Sequence, residues 1–99
     1  MIFNLLKLAV SQGASDIHIT TNSFAVARIK GKFMNISDEI LTKEDTKKIT
    51  KQISGEEKFK QIESIGELDF SASLDDGTRF RVNAYKQKGN YALAIRIIN

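Results

Sequence analysis

Residues 78–87, TRFRVNAYKQ, set Arg79, Arg81 and Asn83 in alternation with Phe80, Val82 and Ala84. Successive side chains on a strand point to opposite faces, so the two arginines share one face and the apolar residues the other. A guanidinium is planar and carries its donors in a rigid fork, which suits two-point capture of a phosphate or carboxylate. The chemistry on offer is therefore anion binding, and Arg96 in ALAIRII joins the same patch once the strands are paired. Two other groups carry reactive side chains. Asp16 and His18 fall on one face of a short strand, and a histidine beside an aspartate can act as a general base. With no nucleophile nearby, the expectation is a hydrogen-bonded structural pair. Glu67 and Asp69 sit beside the arginines and read as ion-pair partners rather than a proton-sharing dyad. There is no G-x-x-x-x-G-K-[ST], G-x-G-x-x-G or G-x-S-x-G run, no cysteine, and a single histidine. These 99 residues are expected to hold no catalytic residue and no metal site.

The elements that position the arginines follow from periodicity. Ile2, Leu5, Leu6 and Ala9 have helical spacing over residues 2–12, and Gly13 is placed as the stop. Residues 16–21 alternate as a short strand. Two more strands follow at 24–30 and 33–36, with Lys30-Gly31-Lys32 as their turn. Thr42 opens a helix with Asp45 three positions on, close to a capping box, and Ile49 and Ile53 give it an apolar stripe. Ser54 restarts that pattern with Glu57 for a second helix, buried through Phe59 and Ile62 and ended by Gly66. Leu68, Phe70, Ala72 and Leu74 then alternate with polar residues. The arginine strand follows Asp75-Asp76-Gly77, and Tyr91 to Ile98 follows Gln87-Lys88-Gly89-Asn90. The predicted class is α+β, in the order α-β-β-β-α-α-β-β-β.

Keeping apolar faces together sets the register. A three-residue loop at 75–77, with Gly77 left-handed, puts Leu74 opposite Thr78, Ala72 opposite Phe80, Phe70 opposite Val82 and Leu68 opposite Ala84. A two-residue loop mixes the faces and is rejected. A four-residue loop at 87–90 pairs Ala84 with Leu93 and Val82 with Ile95, and sets Arg81 directly opposite Arg96. A shorter loop sets Arg79 there instead. Either way three guanidinium groups crowd one patch, and like charges in opposed positions are unfavourable. Asp69, opposite Asn83 and diagonal to Arg81, can relieve part of this together with Glu67. Two carboxylates against three arginines still leave a surplus for an anion from outside.

Composition bounds the rest. Ninety-nine residues with 41% hydrophobic content make one small domain. The net charge of +3 is uneven: residues 78–99 carry +5 and no acid, and the first 77 carry −2. The apolar start, MIFNLLKLAV, has no basic leader region and no small-residue cleavage site, so a cytoplasmic protein is expected. A nucleic-acid-binding sheet needs aromatics on the arginine face. Phe80 points the other way, and Tyr85 shares that face. A stand-alone sensor module is a further alternative, and it needs a pocket within the sheet.

QGASDIHI (12–19), ARIKGKF (27–33), GELDFSAS (66–73), RFRVNAYKQ (79–87) and ALAIRII (92–98) together resemble the N-terminal domain of type IV pilus retraction ATPases, the PilT-like branch of the secretion-ATPase superfamily. The resemblance spans nearly the whole chain. It departs at Thr21-Asn22-Ser23-Phe24, where the family usually has proline, and in lacking the Walker, Asp-box and His-box motifs. It implies that residues 1–99 are a single N-terminal domain, with the ATPase core expected downstream of Asn99. It further implies a PAS-like antiparallel sheet flanked by helices, in a homohexameric ring where this domain packs on a neighbouring subunit's ATPase core. ATP and Mg²⁺ belong to the parent protein, with no cofactor expected for the isolated domain. Arg81 and Arg79, with Arg96 behind them, are the residues the resemblance assigns to the ATP phosphates. It implies a pilus inner-membrane platform protein as partner, a place at the inner face of the cell membrane, and no nucleic acid. The parent activity would be pilus retraction in twitching motility.

Overall fold

The first helix, α1 (Ile2–Ser11), buries Ile2, Leu6 and Ala9 along one stripe. The chain leaves it through Gly13, which takes the left-handed conformation just past the helix end (φ 76°). The computed structural model describes residues 1–98. After α1 come β1 (Ala14–Ile19), β2 (Val26–Ile29), β3 (Lys32–Asn35), α2 (Lys43–Ile65), β4 (Glu67–Ser73), β5 (Arg79–Gln87) and β6 (Asn90–Ile98). The expected α+β class holds. The six strands form one antiparallel sheet in the order β3-β2-β1-β6-β5-β4. Two three-stranded meanders thus lie side by side, joined through the first and last strands. The chain must travel from β3 at one edge to β4 at the other. That distance is about 24 Å for six strands, and a helical element of 23 residues covers about 34 Å.

Both helices contribute to a single core with one face of the sheet. Ile17 and Ile19 of β1, Phe80 and Val82 of β5, and Leu93 and Ile95 of β6 pack there with Ile2 and Leu6 of α1 and Ile49 and Ile62 of α2. Thr42 and Asp45 form the reciprocal capping box: the Asp45 N–H donates to the Thr42 hydroxyl (3.1 Å) and the Thr42 N–H to the Asp45 carboxylate (2.8 Å). The break between two helical segments expected at Ser54 is present, one residue later and capped differently. Ser54 donates back to the Thr50 carbonyl at 2.6 Å, and the break falls on Gly55 at φ 81°, ψ 168°. That region of backbone space is open in practice only to glycine. Among the described residues no helix is long and apolar enough to cross a membrane.

The β4–β5 connection matches the sequence reading in full. The Leu74 N–H donates to the Thr78 carbonyl (2.8 Å), Gly77 has φ 93°, and Ala72, Phe70 and Leu68 face Phe80, Val82 and Ala84. The β5–β6 loop is shorter than expected. Gln87 pairs with Asn90, leaving Lys88 and Gly89 as a two-residue turn. Both have positive φ (54° and 80°), the conformation whose twist suits a tight hairpin. The register survives: Ala84 faces Leu93, Val82 faces Ile95, and Arg81 faces Arg96. Lys30-Gly31 closes β2–β3 in the same way, with Ile29 paired to Lys32.

Candidate functional site

Pairing across the sheet lines up one residue from each strand: Phe33, Arg28, Asp16, Arg96, Arg81 and Ser71. Their chain neighbours Ala27, Ile17, Ile95 and Val82 are in the core, so this row lies on the face away from the helices. The adjacent row contains His18, Ala94, Asn83 and Asp69. Arg79 stands on the same face as Arg81, opposite Ile98 and Ser73. The three arginines singled out from the sequence therefore do share a surface, with Arg81 and Arg96 directly opposed.

Asp16 reaches that surface because β1 is irregular. Ala14 pairs with Ile29 and Asp16 with the next residue, Arg28, so Ser15 is an extra residue in β1. Without this bulge the alternation that buries Ala14 would bury Asp16 as well. With it, Ala14 and Ile17 both face the core, and Asp16 turns toward the arginines. The alternation read from the sequence starts at residue 16, after the bulge, and so misses it.

The charge partners also differ from expectation. Asp69 accepts a hydrogen bond from Asn83 Nδ2 (2.8 Å) rather than pairing with an arginine. Asp16 is the carboxylate that does pair: its Oδ2 lies 3.2 Å from Arg28 Nε and its Oδ1 3.9 Å from Arg96 Nε. The Ser15 hydroxyl donates to Oδ2 at 2.8 Å. Among the described residues no carboxylate stands within ion-pair distance of Arg79 or Arg81. The Asp16–His18 hydrogen bond expected from the sequence gives way to these contacts. His18 instead meets the Phe33 ring edge-on at 5.9 Å, and the Arg28 guanidinium lies over the same ring, 4.5 Å from its centre.

Between β1 and β5 the open face sinks into a cleft of about 230 Å³, with Asp16 and His18 on one side and Arg81 and Asn83 on the other. Ala94 on the intervening strand lines it and, being small, lowers its floor. Sequence reasoning passed over Ala94, Arg28 and Phe33 as site residues. Arg28 was accessible in principle from the alternation of VARI, whereas Ala94 shows its value only between its taller neighbours. Phe80 is fully buried on the helix side, as expected. Tyr91 is also buried there, tilted against Phe59 with ring centres 5.1 Å apart. Its hydroxyl donates to Glu63 (2.9 Å). Burial, reinforced by the Glu63 hydrogen bond and charge, pushes the Tyr91 hydroxyl up to about 12.

What this arrangement can do is hold a multiply charged anion. Two opposed guanidinium groups, Arg81 and Arg96, line a shallow cleft and Arg79 stands on the same face, with donors in excess of the carboxylates at ion-pair distance among the described residues.

No protein-family model matches the chain. It is 30% identical over 97 residues to the type IV pilus retraction ATPase PilT of Pseudomonas aeruginosa, a match covering 98% of this chain and 28% of that protein. It is 28% identical over 94 residues to the type IV pilus ATPase PilU of the same organism, covering 95% of this chain and 25% of the relative. A crystal structure of the pilus retraction motor PilT with bound ADP superposes with a TM-score of 0.89 at 32% identity, over 99% of this chain and 29% of that one. The chain thus spans little more than a quarter of the proteins it matches. The chain is a homologue of the type IV pilus ATPases PilT and PilU, with the size and fold of the N-terminal domain of PilT.

Proposed function

We propose that these 99 residues work as the PAS-like N-terminal domain of a pilus retraction ATPase, in a longer polypeptide whose ATPase core follows them. In this reading the domain packs on the core of a neighbouring subunit in a homohexameric ring. Its arginines add positive charge to an ATP–Mg²⁺ complex held by the core. Arg81 and Arg79 face the phosphates, and Arg96 steadies them. The domain would move against the core as ATP turns over and so drive pilus retraction in twitching motility. The motor would sit in the cytoplasm against the inner membrane, beside its platform protein.

One observation carries this: Arg81 and Arg96 stand directly opposite each other on neighbouring strands at an open cleft, and the carboxylate paired with Arg96, Asp16, is already shared with Arg28. A triphosphate answers that surplus, and guanidinium groups aimed at a transferring phosphoryl stabilise the charge that develops on it. ADP in the PilT crystal structure supports the nucleotide class. The test is Arg81→Ala in the full-length motor. ATP hydrolysis should fall about 100-fold or more, with the domain still folded by circular dichroism. Hydrolysis at the parent rate would sink the assignment. The 99-residue chain alone should bind ATP weakly or not at all, since it has no P-loop.

A further inference from the structure

We infer that Asp16 is a positioning residue that stands in for the phosphate, holding Arg96 until an anion takes that guanidinium over. The inference rests on the anion-binding reading of the arginine face, and three observations carry it. The bulge at Ser15 turns Asp16 out of the core phase and into the arginine row, so the backbone of β1 departs from regularity at the point that presents this carboxylate. Bulges beside functional sites commonly re-aim a side chain in this way.

The two arginines on Asp16 are held unequally. Arg28 is close, at 3.2 Å, and its guanidinium is pinned over Phe33. Arg96 is at 3.9 Å, with 78% of its side chain exposed. An exposed pair at that separation is weak and easily exchanged. Asp16 is therefore anchored on the β2 side by a fixed partner and keeps a loose one on the cleft side.

Third, the cleft opens over Ala94, next to Arg96 on the same strand, with Asp16 and His18 on its β1 wall and Arg81 on its β5 wall. An anion settling between Arg81 and Arg96 meets one guanidinium with no carboxylate at ion-pair distance among the described residues and one that needs only to rotate away from Asp16. The carboxylate itself repels an anion from the β1 wall. It thereby steers the anion toward β5, leaving Arg28 and Phe33 in place. Before the anion arrives, Asp16 also offsets the repulsion between the opposed Arg81 and Arg96.

The experiment titrates the 99-residue chain with inorganic tripolyphosphate and follows the arginine Nε–Hε resonances by NMR, for the parent and for Asp16→Asn, Asp69→Asn and Arg81→Ala. The expected result has the anion moving the Arg96 resonance toward its position in anion-free Asp16→Asn, with Arg28 nearly still. Asp16→Asn should bind about two- to five-fold tighter, the range an exposed ion pair commands. Asp69→Asn removes the same charge from the same face without releasing an arginine, and should gain less. An equal gain from both variants overturns the inference, since bulk charge then explains it. If Arg81 responds and Arg96 does not, the hand-over is wrong while the anion site stands. If neither resonance moves, even in Asp16→Asn, the hand-over is overturned, while the anion-binding reading itself is judged separately by Arg81→Ala in the full-length motor.

Discussion

The two faces of this sheet are made by the same strands and answer to different demands. On the helix side, Phe80, Val82 and Ala84 of β5 meet Leu93 and Ile95 of β6 and the apolar stripes of both helices, and all are buried. On the open side the intervening residues are Arg79, Arg81 and Asn83, beside Ala94 and Arg96. Burial selects for shape on the first face, because each lost methylene leaves a void that the packed surroundings only partly close. On the second face nothing is gained by opposing two arginines, and the stability of the domain would be served as well by almost any polar pair. Folding accounts for the closed side of β5, and for the open side we propose an anion from outside the chain.

The sharpest way to break that contrast is to truncate one residue on the closed face. Phe80→Ala should cost about 3–5 kcal/mol, a large share of the roughly 5–15 kcal/mol that holds a domain of this size together. Thermal unfolding monitored by circular dichroism should show the loss as a fall in Tm of well over 10 °C, at about 4–8 °C per kcal/mol. A small change would mean that the core at Phe80 is not packed as described, and that the two faces are less distinct than they look.

The closed face was legible in the sequence because it obeys period two. The register of β4 on β5 followed from nothing more than keeping Leu68, Phe70, Val82 and Ala84 on one side; for β5 on β6 the same rule left Arg79 or Arg81 opposite Arg96, and the structure takes Arg81. The open face was legible only in part. Its arginines were visible, but their partner was assigned to Asp69 and Glu67, which lie nearest in the β4–β5 register. Asp16 arrives from a strand far off in sequence, through a bulge that a single sequence does not announce. The break in the long helical element was legible to within one residue, because Ser54 with Glu57 marked a second helical start. What was not legible is that the non-helical residue is Gly55 and that Ser54 bonds back to Thr50 instead of capping forward.

A smaller effect sharpens the contrast from the closed side. Tyr91→Phe removes the hydrogen bond to Glu63 and should cost about 1 kcal/mol near neutral pH. It should also change the response to alkali. The Tyr91 hydroxyl stands at about 12 in the fold, against an ordinary value of 10.0. A group raised in this way gives its full stabilisation below the unfolded value, and that stabilisation is lost as the pH rises from 10 toward 12. Urea unfolding across that range should therefore fall more steeply for the parent than for Tyr91→Phe. Parallel slopes would mean that the hydroxyl is not held as the structure places it.

The smallest effect is the most telling, because its sign is at issue. Arg81→Ala in the 99-residue chain removes an exposed side chain with no carboxylate at ion-pair distance among the described residues, directly opposite another arginine. Exposed substitutions of this kind normally fall within about 0.5 kcal/mol. Here relief of the like-charge opposition with Arg96 tips the change toward stabilisation. The gain should be largest at low ionic strength and shrink as salt screens the pair. Melting curves of parent and variant at low and high salt would show it. A clear loss of stability at low salt would make Arg81 part of the scaffold and weaken its assignment to an outside anion. A neutral or positive change, beside the loss of ATP hydrolysis in the full-length motor, leaves the arginine with no reason to be there except the anion it meets.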